Sequence, residues 1–299
     1  MSDALVVFDG HALMHRAFHA GQRQLAADGR EVGAVLTLCD HLVRFLSKMR
    51  ARHLVMAFDP GGPLFRHDIA ADYKSTRKPT DPELLPQFDW VKEAVQALGV
   101  RTVCVDGFEA DDCIATVVHQ ARAEGLPAWI IGLDKDLFQL VTDDDPPVRM
   151  FVPSTKRVVD EAAVAERLGV PPAAALDYYA LVGDSGDHIA GIKGVGPKAA
   201  TALLQAFGSL EGIFDHLDDI HRLDLRGAGR LPLRLLAGRD AAHLARRLLA
   251  LRTDVPLGLG SLRTTLRWMG PSAEADAVFA ALGDDRALRV ARSVAASTR

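Results

Sequence analysis

The sequence predicts an α/β fold continued by a helical region, and three observations carry that expectation. Four short apolar runs each end in acid, the segments between them show helical spacing, and from about residue 176 the strand pattern fades while helices take over. At 299 residues and 48% hydrophobic the chain can bury a full core, as one large domain or two modest ones. The division expected is an α/β unit over 1–175 and a helical unit over 176–299.

The strands come first. Ala4-Leu-Val-Val-Phe8 precedes Asp9, Leu54-Val-Met-Ala-Phe58 precedes Asp59, Thr102-Val-Cys-Val105 precedes Asp106, and Trp129-Ile-Ile131 precedes Asp134 and Asp136. Continuous apolar, β-branched runs separated by crossover-length segments read as parallel strands buried on both faces. Residues 33–50 and 88–98 supply helices between them. Such connections bring every strand's C-terminal end to one edge of the sheet, where ligands of open α/β folds bind. In the second half, 200–207 and 240–251 are the clearest helices. The tail after Trp268 carries a weak helical signal over 273–282 and is expected to fray at its end.

Composition narrows the function classes. Cys39, Cys104 and Cys113 form no CxxC pair, which argues against a disulfide framework or a thiolate zinc site and fits a reducing cytosol. The start of the chain has no basic targeting region, and no apolar run approaches the roughly 20 residues of a membrane span. The net charge of −4 argues against a phosphate-binding surface until its distribution is considered. Setting nine clustered acids aside leaves 30 acids against 35 bases, a mildly basic remainder.

Those nine acids carry the chemistry. A single Asp after a strand reads as a helix cap. Asp9, Asp59, Glu109, Asp111, Asp112, Asp134 and Asp136 together should converge on one sheet edge, where crowded carboxylates repel unless a cation joins them. Gly183-Asp-Ser-Gly-Asp187 adds Asp184 and Asp187 in a tight turn or on one helical face. Oxygen donors without His or Cys suit Mg²⁺ or Mn²⁺, and nine acids in five groups suit two ions. Two such ions serve in-line phosphoryl displacement without a protein nucleophile. The chain has no GxSxG, HExxH or strand-linked GxGxxG to compete with that reading.

Two further segments point to nucleic acid. Gly191-Ile-Lys-Gly-Val-Gly196, followed by Pro197 and an Ala-rich helix, reads as a helix–hairpin–helix whose turn and helix start meet phosphates without regard to base. The residues expected to contact DNA there are Gly191, Lys193, Gly194, Gly196 and Lys198. Residues 65–78 are basic and carry Arg66 and Tyr73 as further candidates for DNA contact. Lys74 and Arg77, at i and i+3, are expected to share a helix face beside the stacking surface of Tyr73.

In order along the chain, Phe8-Asp-Gly-His-Ala-Leu-Met-His-Arg-Ala-Phe18, Phe65-Arg-His with Tyr73, Lys74 and Arg77, Gly107-Phe-Glu-Ala-Asp-Asp112, Asp134-Lys-Asp-Leu-Phe-Gln-Leu140, Gly183 to Gly196, and Leu251-Arg-Thr-Asp-Val-Pro-Leu257 resemble the bacterial 5′-nuclease family. That family comprises the 5′–3′ exonuclease domain of DNA polymerase I, free-standing relatives and flap endonucleases. The resemblance implies a resolvase-like, mainly parallel sheet in a PIN-like nuclease domain, a helical arch over the active site, and a helix–hairpin–helix that grips duplex DNA, often with K⁺. It implies Asp9, Asp59, Glu109, Asp111 and Asp112 on a first Mg²⁺, Asp134, Asp136, Asp184 and Asp187 on a second, with Mn²⁺ as a substitute, and Lys74 and Arg77 beside the scissile phosphate. It also implies a monomer in the bacterial cytosol acting on DNA with a free 5′ end, flap or nick, with a DNA polymerase or ligase as the candidate partner. His188 and Ala190 stand where the family usually has Asn and Pro, and Leu133 replaces a smaller residue. A PIN-class ribonuclease shares the acidic edge but lacks the glycine hairpin, and a non-catalytic DNA-binding scaffold would not need the intact acids.

Overall fold

The computed structural model describes residues 3–225 and 227–297. The chain begins with β1 (Leu5–Asp9), α1 (Gly10–Ala20), α2 (Gly33–Met49), β2 (His53–Ala57), the short α3 (Phe65–Ile69), α4 (Gln87–Ala97) and β3 (Arg101–Val103). It continues with α5 (Ala110–Ala123), β4 (Ala128–Ile131), β5 (Val148–Val152) and β6 (Arg157–Val159). The sheet order is β3-β2-β1-β4-β5-β6, parallel except for β6. The strand order reverses around central β1, so the edge beside Asp9 is a switch point.

Alternation along the strands explains why the runs are apolar throughout. Val6, Phe8, Leu54 and Met56 join one core with α2 and α4, while Leu5, Val7, Val55 and Ala57 join the other with α5. The four strands read from sequence lie within a residue or two of the observed ones. Strands β5 and β6 are not legible in the sequence: polar Arg149 interrupts the first and the second has only three residues.

Beyond the sheet come α6 (Glu161–Leu168), α7 (Ala175–Val182), the two-residue hairpin strands β7 (Gly183–Asp184) and β8 (Ile189–Ala190), and α8 (Pro197–Phe207). Then follow α9 (Leu210–Asp215), α10 (Leu231–Ala237), α11 (Arg239–Leu249), α12 (Leu262–Thr265), α13 (Ala275–Leu282) and α14 (Arg286–Ser297). Leu203, Leu204, Ala245 and Leu248 complete the core that covers the α5 face. The weak helical signal of the tail becomes α13 and α14, and the last two residues, at the end expected to fray, lie outside the described residues. Ala275, Phe279, Leu282, Leu288 and Ala291 are buried with α2 and α4, because spacings of three and four put them on the inner faces of α13 and α14.

The expected helix carrying Lys74 and Arg77 is corrected. After α3 ends at Ile69, residues 71–76 form consecutive turns, and Lys74 takes a left-handed φ of 58°. This segment is pinned to the hairpin instead: the Lys74 N–H donates to the Asp187 carbonyl at 3.0 Å, and His188 Nε2 lies 3.3 Å from Asp72. No helix of the described residues is long and apolar enough to cross a membrane.

Candidate active site

The parallel strands deliver their acids to one place. Asp9 ends β1, Asp59 follows β2, Asp134 follows β4, and Glu109 and Asp111 open α5; all five line a cavity of about 560 Å³. Capping and ligation turn out not to be alternatives. Asp9 Oδ1 accepts the Ala12 N–H at 3.0 Å, Asp59 Oδ1 the Ala110 N–H at 2.6 Å, and Asp134 Oδ1 the Asp136 N–H at 2.9 Å. Each cap fixes a carboxylate through one oxygen and leaves the other available to a ligand.

Among the described residues no Lys or Arg pairs with Asp9, Asp59, Asp111 or Asp134. His11 Nε2 is 3.5 Å from Asp59, but burial lowers the His11 pKa and leaves the ring a poor counter-ion. Burial first, then Asp134 and Asp59, push Asp9 up to about 7 against the pull of the Ala12 N–H and Lys74. Asp111 is raised well above the carboxylate range by burial and by Asp134, Asp9, Asp59 and Glu109. Converging, uncompensated oxygen donors of this kind fit a hard divalent cation.

A second group lies alongside. One carboxylate oxygen each from Asp136, Asp184 and Asp187 fall within 4.8 Å of one another. This outer group is compensated. Lys135 hydrogen-bonds to Asp184 and lies 3.4 Å from Asp136, Arg77 hydrogen-bonds to Asp187, and Lys74 Nζ is 3.8 Å from Asp187. Burial raises Asp136 to about 7, with Asp134 adding to it and Lys135 opposing. Burial also works to raise Asp184, but the Lys135 hydrogen bond and charge outweigh it and hold that carboxyl below its usual range.

Three sequence assignments are corrected by their surroundings. Asp112 is fully buried, and its two oxygens accept from Arg66 at 2.5 and 2.8 Å and from the Glu109 and Arg252 N–H groups at 3.1 and 3.0 Å. No lone pair is left for a metal. Arg66, expected on DNA, is 2% exposed, and its guanidinium also donates to the Leu248 and Ala250 carbonyls, stapling α3 and α5 to the end of α11. Tyr73, expected as a stacking surface, is buried and donates its hydroxyl to Glu109 at 3.0 Å. Glu109 thus sits between the groups, held by Tyr73, Lys74 and, at 2.8 Å, Arg66. Lys74 and Arg77 do line the cavity, brought there by the turns rather than by a helix face.

The hairpin joins α7 to α8, and its glycines divide by role. A Cβ on Gly183, at φ 78°, would lie 2.3 Å from Gly191 N, and one on Gly191 would lie 2.3 Å from Val182 C; these two let the strands touch. Gly191 is therefore held to glycine by packing. Gly194, Gly196, Lys193 and Lys198 surround the open start of α8, where Lys193, Gly194 and Pro197 flank the turn.

Sequence reasoning assigns no role to the α1 wall of the cavity, formed by His11, His15, Arg16 and His19. Histidines at i, i+4 and i+8 after Asp9 are the available signal, since that spacing makes one helix face. His11 stacks on Phe88 with ring centroids 4.6 Å apart. Lys135, between two expected ligands, is likewise missed.

Comparison with known proteins identifies the family of the chain. Residues 4–169 match the model of the 5′–3′ exonuclease N-terminal resolvase-like domain, and residues 170–272 match that of the 5′–3′ exonuclease C-terminal SAM fold. DNA polymerase I of Rhizobium leguminosarum is 38% identical over 265 residues, 86% of this chain and 25% of that protein. Thermostable DNA polymerase I of Thermus thermophilus is 36% identical over 253 residues, 85% of this chain and 29% of that protein. The chain thus spans between a quarter and a third of these relatives. In fold it is similar to a bacteriophage T5 5′-exonuclease solved with zinc (TM-score 0.67, 22% identity, 99% of this chain and 100% of that one). It is also similar to the catalytic core of Rad2 in complex with DNA (TM-score 0.62, 16% identity, 100% and 93%).

Proposed function

The chain belongs to the 5′–3′ exonuclease family, and from that premise we propose that it is a structure-specific 5′ nuclease, hydrolysing DNA phosphodiester bonds near free 5′ ends, flaps and nicks with divalent ions held at the sheet edge. It is an enzyme of the exonuclease and flap-endonuclease kind. The observation that carries the reading is the cavity shared by Asp9, Asp59, Asp111 and Asp134, with no basic side chain among the described residues paired to any of them save the weakly basic His11. We assign these four, with Glu109 behind them, to a first ion, and Asp136, Asp184 and Asp187 to a second. Mg²⁺ is the ion we propose, with Mn²⁺ able to replace it, because every donor is oxygen.

Divalent ions held by these carboxylates would supply an activated water near neutral pH and offset the charge that develops on the phosphate. The chain's own residues do the rest. The caps on Asp9, Asp59 and Asp134 fix the donor oxygens before substrate arrives, so little reorganisation remains. Lys74 and Arg77 line the cavity and are assigned to the non-bridging and leaving oxygens of the scissile phosphate. The α8 start, with Gly194, Gly196, Lys193 and Lys198, is assigned to duplex phosphates, with K⁺ as the hairpin's ion. We further propose a monomer in the bacterial cytosol whose product ends pass to a polymerase or ligase.

The test is cleavage of a 5′-flapped DNA duplex beside single-stranded RNA, with Mg²⁺, with Mn²⁺ and in EDTA. Flap cleavage that leaves 5′-phosphate and 3′-hydroxyl ends and stops in EDTA is expected. Undiminished cleavage in EDTA, or preference for RNA, would overturn the reading.

A further inference from the structure

The outer carboxylates are already spoken for. Lys135 Nζ hydrogen-bonds to Asp184 Oδ2, lies 3.4 Å from Asp136 Oδ1, and stands 4.8 Å from the centroid of the Tyr179 ring. Arg77 closes the group from the other side through Asp187. An ammonium and a divalent ion drawing on the same oxygens would stand a few ångströms apart, where like charges repel strongly even at a moderate effective dielectric. Among the described residues Asp9, Asp59, Asp111 and Asp134 have no equivalent cation, while Glu109 behind them is held by Lys74 and Arg66. Metal binding therefore means filling a gap at one group and displacing a resident at the other.

We propose that Lys135 is the tethered counter-ion of the outer carboxylates, a positioning residue that holds Asp136 and Asp184 together and must be exchanged for the second divalent ion, so that the inner group loads first. The proposal rests on the reading of both groups as ion sites. Lysine suits such an exchange: it is a point charge on a flexible stem, whereas arginine's planar fork would bind a carboxylate bidentately and leave less readily. Its place in Asp134-Lys-Asp136 keeps it beside the site after release.

The experiment is calorimetric titration of the full chain with Mn²⁺ alone, free of DNA, for wild type, Lys135→Met and Lys135→Arg. Wild type should bind two ions with unequal affinity. Lys135→Met should tighten the weaker event by about tenfold or more, as expected for removing a competing unit charge at this range, and leave the tighter one within about twofold. In chelator the same variant should melt lower than wild type, and Mn²⁺ should raise its Tm by more. Lys135→Arg, which keeps the charge, should retain the weak second event. If Lys135→Met does not fold, neutral and polar Lys135→Gln carries the same expectation. Two wild-type events with the weaker one unchanged or loosened in the neutral variants would overturn this proposal alone. No Mn²⁺ binding by wild type would overturn the ion reading and this proposal with it.

Discussion

Asp134 and Asp136 are separated by one residue, yet among the described residues only Asp136 has a basic side chain paired with it. In the inner group Asp9, Asp59 and Asp134 are held by backbone N–H caps, and no Lys or Arg among the described residues pairs with them or with Asp111, whereas Asp136, Asp184 and Asp187 are met by Lys135, Arg77 and Lys74. The lesson is that counting carboxylates does not count equivalent ion sites. What distinguishes them is whether the fold already supplies the positive charge. Burial and neighbouring acids raise Asp9 and Asp111 in the inner group; in the outer group Lys135 holds Asp184 low, although burial and Asp134 still raise Asp136.

The largest expected effect follows directly. Asp111→Asn removes an inner donor for which no other group substitutes, and it should lower single-turnover flap cleavage by about a thousandfold, roughly 4 kcal/mol of transition-state stabilisation. DNA affinity should hold or tighten, because a negative charge facing phosphate is gone. Asp184→Asn should cost at least about tenfold less in rate, since its charge is already offset by Lys135. Equal losses in the two variants would erase the distinction between the groups.

Next in size is the boundary between ligand and scaffold. Arg66→Ala leaves Asp112 as a buried, unpaired charge and should destabilise the chain by about 3–5 kcal/mol in denaturant unfolding. Asp112→Asn should also destabilise, by about 1–3 kcal/mol, while leaving Mn²⁺ affinity near wild type. A loss of Mn²⁺ affinity as large as that of Asp111→Asn would return Asp112 to the ligands.

Lys74→Ala and Arg77→Ala test what the cations do when substrate is present. Each should lower the single-turnover rate at saturating enzyme by on the order of a hundredfold, as for lost transition-state stabilisers, with a much smaller change in equilibrium affinity. Arg77→Ala should in addition strengthen ion binding at the outer group, since Asp187 loses its partner. Rates matching wild type at saturation would reduce both residues to a binding surface.

The sheet edge is legible in the sequence because apolar runs ending in acid are a local signal, and parallel topology then dictates where Asp9, Asp59 and Asp134 must meet. Sequence misleads over Asp112, Arg66 and Tyr73, which share residue types with a site but are consumed by each other and by Glu109 across 46 and 36 residues of chain. Pairing between distant side chains leaves no periodicity to read. The spacing of Lys74 and Arg77 fits a helix, but docking against Asp187 and His188 wins, through a backbone bond and a left-handed Lys74 that propensity does not register. Lys135 stands in full view between two acids and still escapes notice, because a lysine beside carboxylates in sequence is most often a solvated surface charge.

The smallest effect expected is in stability against pH, and there Asp9 and Asp184 should differ in sign, whereas Asp136, raised by burial and Asp134, goes with Asp9. In the unfolded chain an Asp titrates near 3.8, whereas burial, with Asp134 and Asp59, raises Asp9 to about 7 in the folded protein. The folded state therefore keeps a proton that the unfolded state releases. Its contribution is fully present below about pH 4 and is lost as pH rises through about 7, in chelator. Asp184 is the reverse: its folded pKa is lowered despite burial, by the hydrogen bond and charge of Lys135, so its contribution is present above about pH 4 and is lost as pH falls through the lowered value. Melting curves in EDTA from about pH 4 to about pH 8 should thus show Asp9→Asn gaining on wild type as pH rises, and Asp184→Asn staying below it at neutral pH. Added Mg²⁺ should reverse the first difference, because the ion takes the charge that wild-type Asp9 exposes and the amide does not offer. Cleavage at limiting Mg²⁺ should fall below about pH 7, with the midpoint moving lower as Mg²⁺ is raised, since proton and ion compete for Asp9. Parallel Tm curves for wild type and Asp9→Asn across that range would mean that the inner acids are already compensated, and the contrast between the two groups would fail.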